Sequence, residues 1–311
     1  MNETELIQRL TASLPTNDSV RVGAGDDCAV LDLALPGQWL LFKTDAVVEG
    51  VHFTAATEPE KIGRKALARA LSDIAAMAGT PTHALVTVGL PDMNSPERIE
   101  AIYRGMTTLA QQHGVAIVGG ETTTTPVLTL SIALLGTVPP ARCVRRAGSQ
   151  SGDAIFVTGQ LGGSLHGRHL DFEPRLSQAR WLAEHFLPHA MIDLSDGLAS
   201  DLRHLLDASH CGAELLTPAI PISDTLRQAA RQTPSSKPPL LAALTDGEDY
   251  ELLFTIAPRQ AVPLLDAWKQ AFADLRLSCI GRITAKPGIT LRDRDGVRPF
   301  TAHGYVHFQK S

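Results

Sequence analysis

The chain has 311 residues, enough for two ordinary domains or one large one. Hydrophobic residues make up 44% of it and charged residues 20%, the composition of a soluble globular protein. The formal net charge of -5 argues against a nucleic-acid partner, which normally meets a basic stripe, and no apolar run is long enough to predict a membrane span.

The four cysteines, at positions 28, 143, 211 and 279, form no Cys-x-x-Cys pair. Their spacing therefore predicts neither a zinc site nor a disulfide framework, and it fits a reducing compartment. The first residues, MNETELIQRLTASLP, are amphipathic and lack a signal-peptide pattern. We therefore expect a cytoplasmic protein.

The first half of the chain alternates helical and strand patterns. Apolar residues recur at helical spacing over residues 3–14, 59–79 and 96–113, which predicts three helices. Short β-rich runs predict strands on both sides of the Pro36-Gly37 turn and in HALVTVGL, VAIVGG and VLTLSIALLGTV. This half is therefore α+β or α/β, with at least five strands.

A break in the pattern follows at PPARCVRRAGSQSGD, which we interpret as a linker. Beyond it, strands are predicted in AIFVTG, HAMIDL, AELLTP, YELLFTI and LSCIGRIT, and helices over about 175–187, 198–210 and 260–273. RQTPSSKPP has the composition of a surface loop. We expect an α/β (α+β) chain of two domains, an N-terminal metal-binding domain over residues 1–140 and a C-terminal α/β domain over residues 150–311.

Acidic residues gather where β-rich apolar stretches stop. The segments are GAGDDCAVLD, LLFKTDAVVEGVHF, AIVGGETTTT and MIDLSDG, while TDGEDYELLF places its acids before a strand. Any one of them is explained by turns and helix caps, and Asp196 is a natural cap for a helix that begins near Leu198. Asp201, on that helix, is expected to face solvent or to make a local hydrogen bond.

Asp73 is harder to explain as a turn or a cap. It lies in the helix ALARALSDIAAMAG, among apolar neighbours, and a buried carboxylate needs a cation or strong hydrogen bonds. Oxygen ligands without His or Cys pairs indicate Mg²⁺, and several carboxylates around Mg²⁺ are typical of a phosphate substrate. No GxxxxGK[ST] loop and no GxGxxG fingerprint is present.

Several longer motifs resemble the thiamine-monophosphate kinase family. They are GDDCAVL, KTDAVVEGVHF, ALSDIAAMAG, GGETT, MIDLSDGLASDL, GEDYELLFT and the terminal GYVHF, in that family's order. The wider group includes aminoimidazole ribonucleotide synthetase and selenophosphate synthetase. The resemblance implies that the N-terminal mixed sheet pairs across a homodimer as a β-barrel. It also implies transfer of the γ-phosphoryl group of ATP to thiamine monophosphate, with several Mg²⁺ ions and no strong general base.

Matching the motifs position by position implies a role for each site residue. Asp45, Asp73 and Asp193 resemble the catalytic centre. The implied metal ligands are Asp26, Thr44, Asp45, Asp73, Glu121, Asp193 and Asp196. The implied nucleotide contacts are Tyr103, Gly120, Glu121, Arg146 and Ser195. The implied contacts to thiamine monophosphate are His52, Glu248 and Tyr305, the last because an aromatic face suits a cationic thiazolium ring.

Each of the less specific matches also has a structural explanation. His52 fits an ordinary strand histidine, Tyr305 a residue that covers the core, and Arg146 a surface charge of the linker.

The sequence departs from the family at a few positions. Glu121 replaces an Asp of the family's GGDT, and Lys43 stands where Ser or Thr is frequent, so that it either occupies a cation site or points away. Val306 replaces an Asp, and the stretch 159–190 is short. Two alternatives to the kinase therefore stay open: a related ATP-dependent enzyme with another small substrate, and an inactive nucleotide- or metal-binding relative.

Overall fold

A computed structural model of the protein describes residues 3–91, 95–232, 237–302 and 304. The chain forms two compact units, each with its own mixed sheet. The N-terminal unit comprises Arg21–Cys143 and His169–Arg180. The C-terminal unit comprises the described parts of residues 1–20, 144–168 and 181–311, so helix α1 (Glu3–Thr11) groups with it.

The N-terminal unit is built on a six-stranded sheet. Its elements are β1 (Val20–Val22), β2 (Ala29–Leu31), β3 (Trp39–Val48), α2 (Pro59–Ala76), β4 (Thr80–Leu90), α3 (Pro96–Gln112), β5 (Ala116–Thr124) and β6 (Thr129–Val138). The strand order is β1-β2-β3-β6-β4-β5; β4 and β5 are parallel, and β6 is antiparallel to β3 and β4. The predicted mixed sheet is confirmed. Its order has two ends, so no closed barrel forms among the described residues of one chain.

Helix α2 is buried along almost its whole length because α3 and the sheet both pack on it. Two glycines mark its crossing with α3. A Cβ at Gly63 would lie 1.8 Å from Ile102 O, and a Cβ at Gly105 would lie 1.9 Å from Glu60 O. The two backbones are therefore nearly in contact, which only glycine allows. This packing buries the apolar stripe of α2 and, with it, Asp73.

No described helix of the unit covers the other face of this sheet. Burial alternates along β6 and most of β4, so one face lies in the core while the other lies outward. Phe42, Leu85 and Val118 are 46%, 49% and 59% exposed. Phe42 pairs with Leu135 and Leu85 pairs with Ala133, both at outward positions of β6, which places Phe42 and Leu85 on one outward surface. The unit therefore presents a partly apolar sheet face.

The C-terminal unit contains a seven-stranded mixed sheet. Its further elements are β7 (Ala154–Thr158), β8 (Ala190–Asp193), α6 (Leu198–Ser209), β9 (Gly212–Leu216), α7 (Asp224–Gln232), α8 (Pro239–Thr245), β10 (Leu252–Ile256), α9 (Ala261–Ala271), β11 (Leu277–Thr284), β12 (Gly288–Asp293) and β13 (Gly296–Phe300). Helices α4 (Arg168–Asp171) and α5 (Leu176–His185) lie at the two changes between the units. The order is β13-β12-β9-β11-β7-β10-β8, with β9 and β12 parallel.

Most predicted elements of this half are confirmed within a few residues. The sequence patterns did not predict α4, α7, α8, β12 or β13. Part of RQTPSSKPP is helical, since Arg231 and Gln232 end α7 and Pro239 begins α8, while residues 233–236 lie outside the described chain. Within the described ranges, no helix is both long enough and apolar enough to cross a membrane.

Candidate active site

The N-terminal unit gathers carboxylates at the end of α2. Asp27 and Asp73 are 1% and 7% exposed, and each offers a carboxylate oxygen within 4.8 Å of the other. The loop that carries Asp27 is fixed there because the Cys28 N–H donates to Met77 Sδ at 3.2 Å. Burial, together with Asp73, raises the pKa of the Cys28 thiol well above its usual range.

Asp27 was missed by the motif comparison, which singled out Asp26. Asp26 is half-buried, and its Oδ1 accepts the Asp27 N–H at 3.0 Å. GDDC contains both acids, and the motif by itself does not say which of them is buried. Asp26 therefore shapes the turn, while Asp27 faces Asp73.

Strand β3 contributes a second pair of charged side chains to this group. Lys43 and Asp45 lie two residues apart, so they share the strand face that meets α2. Lys43 Nζ lies 3.0 Å from Asp73 Oδ2, and Asp45 Oδ2 accepts from Arg69 Nε at 3.1 Å. Burial lowers the pKa of Lys43, but Asp73 and Asp45 outweigh that effect and raise it above the usual range. Lys43 does not point away.

Three other predicted residues of this unit lie on exposed strand surface. Thr44 faces the opposite side of β3, with its hydroxyl 3.4 Å from Ser131 Oγ. Glu121 is exposed on the edge strand β5, and its Oε1 accepts the Thr122 N–H at 3.0 Å. Gly120, next to it, packs closely on β4, since a Cβ there would lie 1.8 Å from Val86 O. A ligand role for Thr44 or Glu121 stays a prediction.

His52 is held in a tight backbone turn after β3. Its Nδ1 accepts the Val48 N–H at 3.0 Å, and its carbonyl accepts from Lys65 Nζ at 2.7 Å. Lys65 is 1% exposed and also lies 2.7 Å from His169 Nδ1. Tyr103 lies half-buried on α3, and burial raises its pKa. Two hydrogen bonds thus hold His52 in place, and its contact with thiamine monophosphate stays a prediction.

The C-terminal unit brings the end of β8 against the GEDYE loop, residues 247–251. Asp193 is buried at the last position of β8, opposite Leu252 of β10. The Glu248 N–H donates to Ser195 O at 2.7 Å, and the Tyr250 N–H donates to Leu194 O at the same distance. Ser195 and Glu248, expected to contact nucleotide and thiamine monophosphate, therefore lie side by side.

The backbone of this loop is strained. Glu248 and Tyr250 have φ values of 58° and 50°, in the left-handed region that costs a non-glycine residue roughly 1–3 kcal/mol. Ser164 Oγ donates to Glu248 O at 2.5 Å, and the Tyr250 hydroxyl donates to Glu248 Oε1 at 3.2 Å. Such strain is retained where the surroundings fix a functional geometry, which supports Glu248 as a site residue.

The prediction that Asp196 caps α6 is wrong. The N-cap is Gly197, with φ of 98° and no side-chain cap, so Asp196 lies one residue before the cap position. Asp196 instead donates its backbone N–H to the side chain of Asp201, whose Oδ2 lies 3.1 Å away. The expected local bond of Asp201 is confirmed, but Asp201 is 2% exposed and does not face solvent.

Burial raises the pKa of Asp201 well above its usual range, and Asp196 and Asp193 add to the shift while Arg146 opposes it. Arg146 thus contributes positive charge to this acidic group, and its carbonyl accepts from Ser209 Oγ at 3.4 Å. Gly304 donates its N–H to Ser200 Oγ at 2.9 Å at the start of α6. The next residue, Tyr305, lies outside the described residues.

Two acids of the GEDYE loop form a buried ion group with Arg168. Asp249 and Glu251 are each 1% exposed, and Arg168 contacts both, at 2.6 Å from Asp249 Oδ1 and 3.4 Å from Glu251 Oε1. The Gly162 N–H also donates to Asp249. Burial raises the pKa of Asp249 to about 7, although Arg168 and the Gly162 N–H oppose the shift.

The carboxylate oxygens of the N-terminal unit are suitable ligands for a hard cation such as Mg²⁺. Asp27 and Asp73 provide paired oxygen ligands, with Asp26 and Asp45 in the same unit, and no sulfur or imidazole is required. Lys43 and Arg69 already neutralise part of this negative charge. The group therefore needs further positive charge, but less than its carboxylates alone would require.

Comparison with known proteins agrees with the motifs. Residues 25–138 match the model of the AIR synthase related protein N-terminal domain, and residues 150–294 match that of the C-terminal domain. A thiamine-monophosphate kinase of Rhodopirellula baltica is 44% identical over 259 residues, covering 81% of this chain and 80% of the relative. One of Escherichia coli K12 is 35% identical over 312 residues, covering 93% and 92%.

The fold comparison points to the same proteins. A structure described as AaThiL complexed with AMPPCP and TMP superposes with a TM-score of 0.83 at 29% identity, covering 99% of this chain and 97% of that one. Thiamine-monophosphate kinase from Stenotrophomonas maltophilia superposes with a TM-score of 0.73 at 33% identity, covering 93% and 96%. The chain thus belongs to the thiamine-monophosphate kinase family, within the AIR synthase related proteins.

Proposed function

We propose that this chain is an ATP-dependent kinase that transfers the γ-phosphoryl group of ATP to the phosphate of thiamine monophosphate and releases thiamine diphosphate and ADP. The observation that carries the proposal is the identity of 35% to a thiamine-monophosphate kinase over 93% of the chain. A neighbour with a TM-score of 0.83 that holds AMPPCP, an ATP analogue, together with TMP supports it.

The residues suit this chemistry. The attacking group is a phosphate oxygen that is already ionised near neutral pH, so the protein needs no strong general base. The main barrier is the approach of two anions, which fixed positive charge lowers. Lys43, Arg69 and Arg146 carry such charge beside the carboxylates of their own units. Ser195 and Glu248, paired through their backbones, would hold nucleotide and acceptor in a fixed register.

Magnesium is part of the proposal. Asp27, Asp45 and Asp73 would hold it in the N-terminal unit, and Asp193 and Asp196 are the candidates in the C-terminal unit. When bound, the metal would neutralise charge on the transferred phosphoryl group. Asp26, Thr44 and Glu121 remain candidates from the resemblance. The nucleotide contacts Tyr103, Gly120 and Arg146 and the acceptor contacts His52 and Tyr305 have the same standing.

A product assay tests the function. Purified protein is incubated with ATP, Mg²⁺ and thiamine monophosphate, and thiamine diphosphate and ADP are both quantified. Equal amounts of the two products are expected. ADP formed only with another phosphorylated or carboxylated acceptor would instead identify the related enzyme with a different substrate. No turnover with any acceptor over a wide Mg²⁺ range would identify the inactive relative, which Glu121 and Lys43 make worth testing.

Asp73→Asn should lower kcat by about two orders of magnitude or more, because it removes a buried charge from the expected metal group. Steady-state kinetics at saturating ATP and Mg²⁺ check this. Asp171→Asn is the matched control, since Asp171 pairs with Lys61 at the surface of the same unit. Near-normal turnover of the Asp73 variant would remove Asp73 from the catalytic group.

We further propose a homodimer, formed through the outward sheet face of the N-terminal unit. The exposed apolar side chains of Phe42, Leu85 and Val118 support it, because a sheet face of this kind is usually covered by a partner. A cytoplasmic location and the division into domains at 1–140 and 150–311 are kept as predictions of the sequence.

A further inference from the structure

Two reciprocal ion pairs connect β3 to α2 inside the expected metal group. On the strand, Lys43 and Asp45 are two residues apart; on the helix, Arg69 and Asp73 are four apart and lie on one face. Lys43 Nζ contacts Asp73 Oδ2 at 3.0 Å, and Arg69 Nε contacts Asp45 Oδ2 at 3.1 Å. Each element thus provides one cation and one anion, and the cations meet carboxylates that are candidate metal ligands.

The two cations are not equivalent. Arg69 approaches Asp45 through two nitrogens, with Nη2 also 3.3 Å from Oδ1, so it engages both carboxylate oxygens. Lys43 instead contacts Asp73 as a point charge. Its side chain is 25% exposed, compared with 11% for the side chain of Asp73. The ammonium therefore contacts an oxygen of Asp73 that a metal ion would otherwise bind.

The charge of the group depends on Lys43. Asp26, Asp27, Asp45 and Asp73 supply four carboxylates in the N-terminal unit, and Lys43 and Arg69 place two cations directly on Asp73 and Asp45. Without the ammonium one more negative charge would remain at Asp73, and Asp73 would bind a divalent ion more favourably.

We propose that Lys43 is a built-in cation at Asp73, which reduces the number of divalent ions that the N-terminal unit takes up. This inference rests on the proposed function, because it assumes that the group is a metal site of a kinase. Lys43 acts through Asp73 and is therefore a positioning residue. Because Lys43 already supplies positive charge at Asp73, the reaction should require less free Mg²⁺ than the number of carboxylates suggests.

The test counts metal ions without turnover. Mn²⁺ is titrated into the full-length protein in the absence of ATP and thiamine monophosphate, and free Mn²⁺ is measured by electron paramagnetic resonance. Lys43→Met is expected to bind one more Mn²⁺ per chain than the wild type, or to bind it about tenfold more tightly. Lys43→Arg keeps the charge and should match the wild type. Lys61→Met removes a surface cation of α2, the helix that carries Asp73, and should also match the wild type.

Two results would overturn the inference. In the first, Lys43→Met and the wild type bind the same number of Mn²⁺ ions with the same affinity, or neither binds Mn²⁺. In the second, Lys61→Met changes Mn²⁺ binding as much as Lys43→Met does. A merely structural ion pair predicts the first of these. Thermal unfolding shows whether each variant is folded, and Lys43→Gln replaces the Met variant if that one is not. The kinase assay of the wild type stands apart, so a failed function and a failed metal count are distinguishable.

Discussion

Asp249 and Glu251 show how one arginine serves two buried carboxylates. Arg168 contacts both, yet it lies nearer to Asp249, and Thr158 Oγ1 donates to Glu251 Oε2 at 2.7 Å. Leu252, the first residue of β10, donates its N–H to the same threonine oxygen at 2.9 Å. The group therefore ties the GEDYE loop to β7 and β10, and its charge state affects the stability of that loop.

The pKa of Asp249 predicts a pH-dependent stability. Its ordinary value is 3.8 and its value in the fold is about 7, so folding favours the neutral acid. The corresponding stability is fully present below about pH 4 and is lost as the pH rises through about 7. The side chain of Asp249→Asn is neutral at every pH. The free energy of unfolding of this variant, relative to that of the wild type, should therefore rise by roughly 2 to 4 kcal/mol as the pH increases from about 4 to about 7.

Urea unfolding of both proteins at several pH values measures this difference. A constant offset between wild type and Asp249→Asn would show that Asp249 titrates normally. A gap that widens toward low pH would reverse the sign and would mean that Arg168 dominates over burial.

At the scale of elements, the crossing of α2 and α3 fixes the position of α2. Gly63 and Gly105 face the backbone of the opposite helix at distances that no side chain could occupy. Close approach gives α3 a firm contact with α2, the helix that carries Arg69 and Asp73. The glycines therefore serve the site indirectly, through the placement of a helix.

Gly105→Ala should destabilise the protein by about 2 kcal/mol or more, because its Cβ would lie 1.9 Å from Glu60 O and would separate the helices. The sign is informative, since Gly→Ala in a helix interior by itself stabilises by about 1 kcal/mol. Thr107→Ala, on the exposed side of α3, is the control and should not lower the melting temperature. A Gly105→Ala protein as stable as the wild type would show that the helices do not approach this closely.

Periodicity predicted these helices well because α2 and α3 each bury a long apolar stripe. It could not predict the ion pairs between β3 and α2, since the contact of Lys43 with Asp73 depends on the packing of a strand against a helix. The choice of Asp26 over Asp27 had a related cause, since two adjacent acids in a loop are distinguished only by their burial in the fold. The cap expected from Asp196 failed because a left-handed Gly197 intervenes, a backbone conformation that the acidic pattern does not encode. Helices α7 and α8 were missed because both are short and lie beside a loop-like stretch.

At the scale of the whole molecule, sequence order and packing diverge. Residues 169–180 follow β7 of the C-terminal unit in sequence but belong to the N-terminal unit. Cations of α2 hold this segment: Lys61 pairs with Asp171 at 2.8 Å, and Arg64 pairs with Glu173 at 2.9 Å. The short stretch 159–190, noted as a departure from the family, therefore contributes to both units. Motif order alone gives no information on such a crossing.

The proposed dimer gives the last prediction. Leu85 lies on the outward face of β4, where it pairs with Ala133 of β6 and Gly119 of β5 near the middle of the sheet. An arginine there would place a charge within an apolar interface and would leave it without a partner, which typically costs several kcal/mol. Leu85→Arg should therefore sediment as a monomer while the wild type sediments as a dimer.

Val262→Arg is the matched control, because Val262 is 68% exposed on α9 of the C-terminal unit, and it should keep the mass of the wild type. Sedimentation velocity at several protein concentrations separates the species. A wild type that is monomeric at every concentration would disprove the dimer, and a dimeric Leu85→Arg would place the interface elsewhere. The sheet face thus has a definite test, since the same exposed apolar side chains that would lower solubility in a monomer would stabilise a dimer.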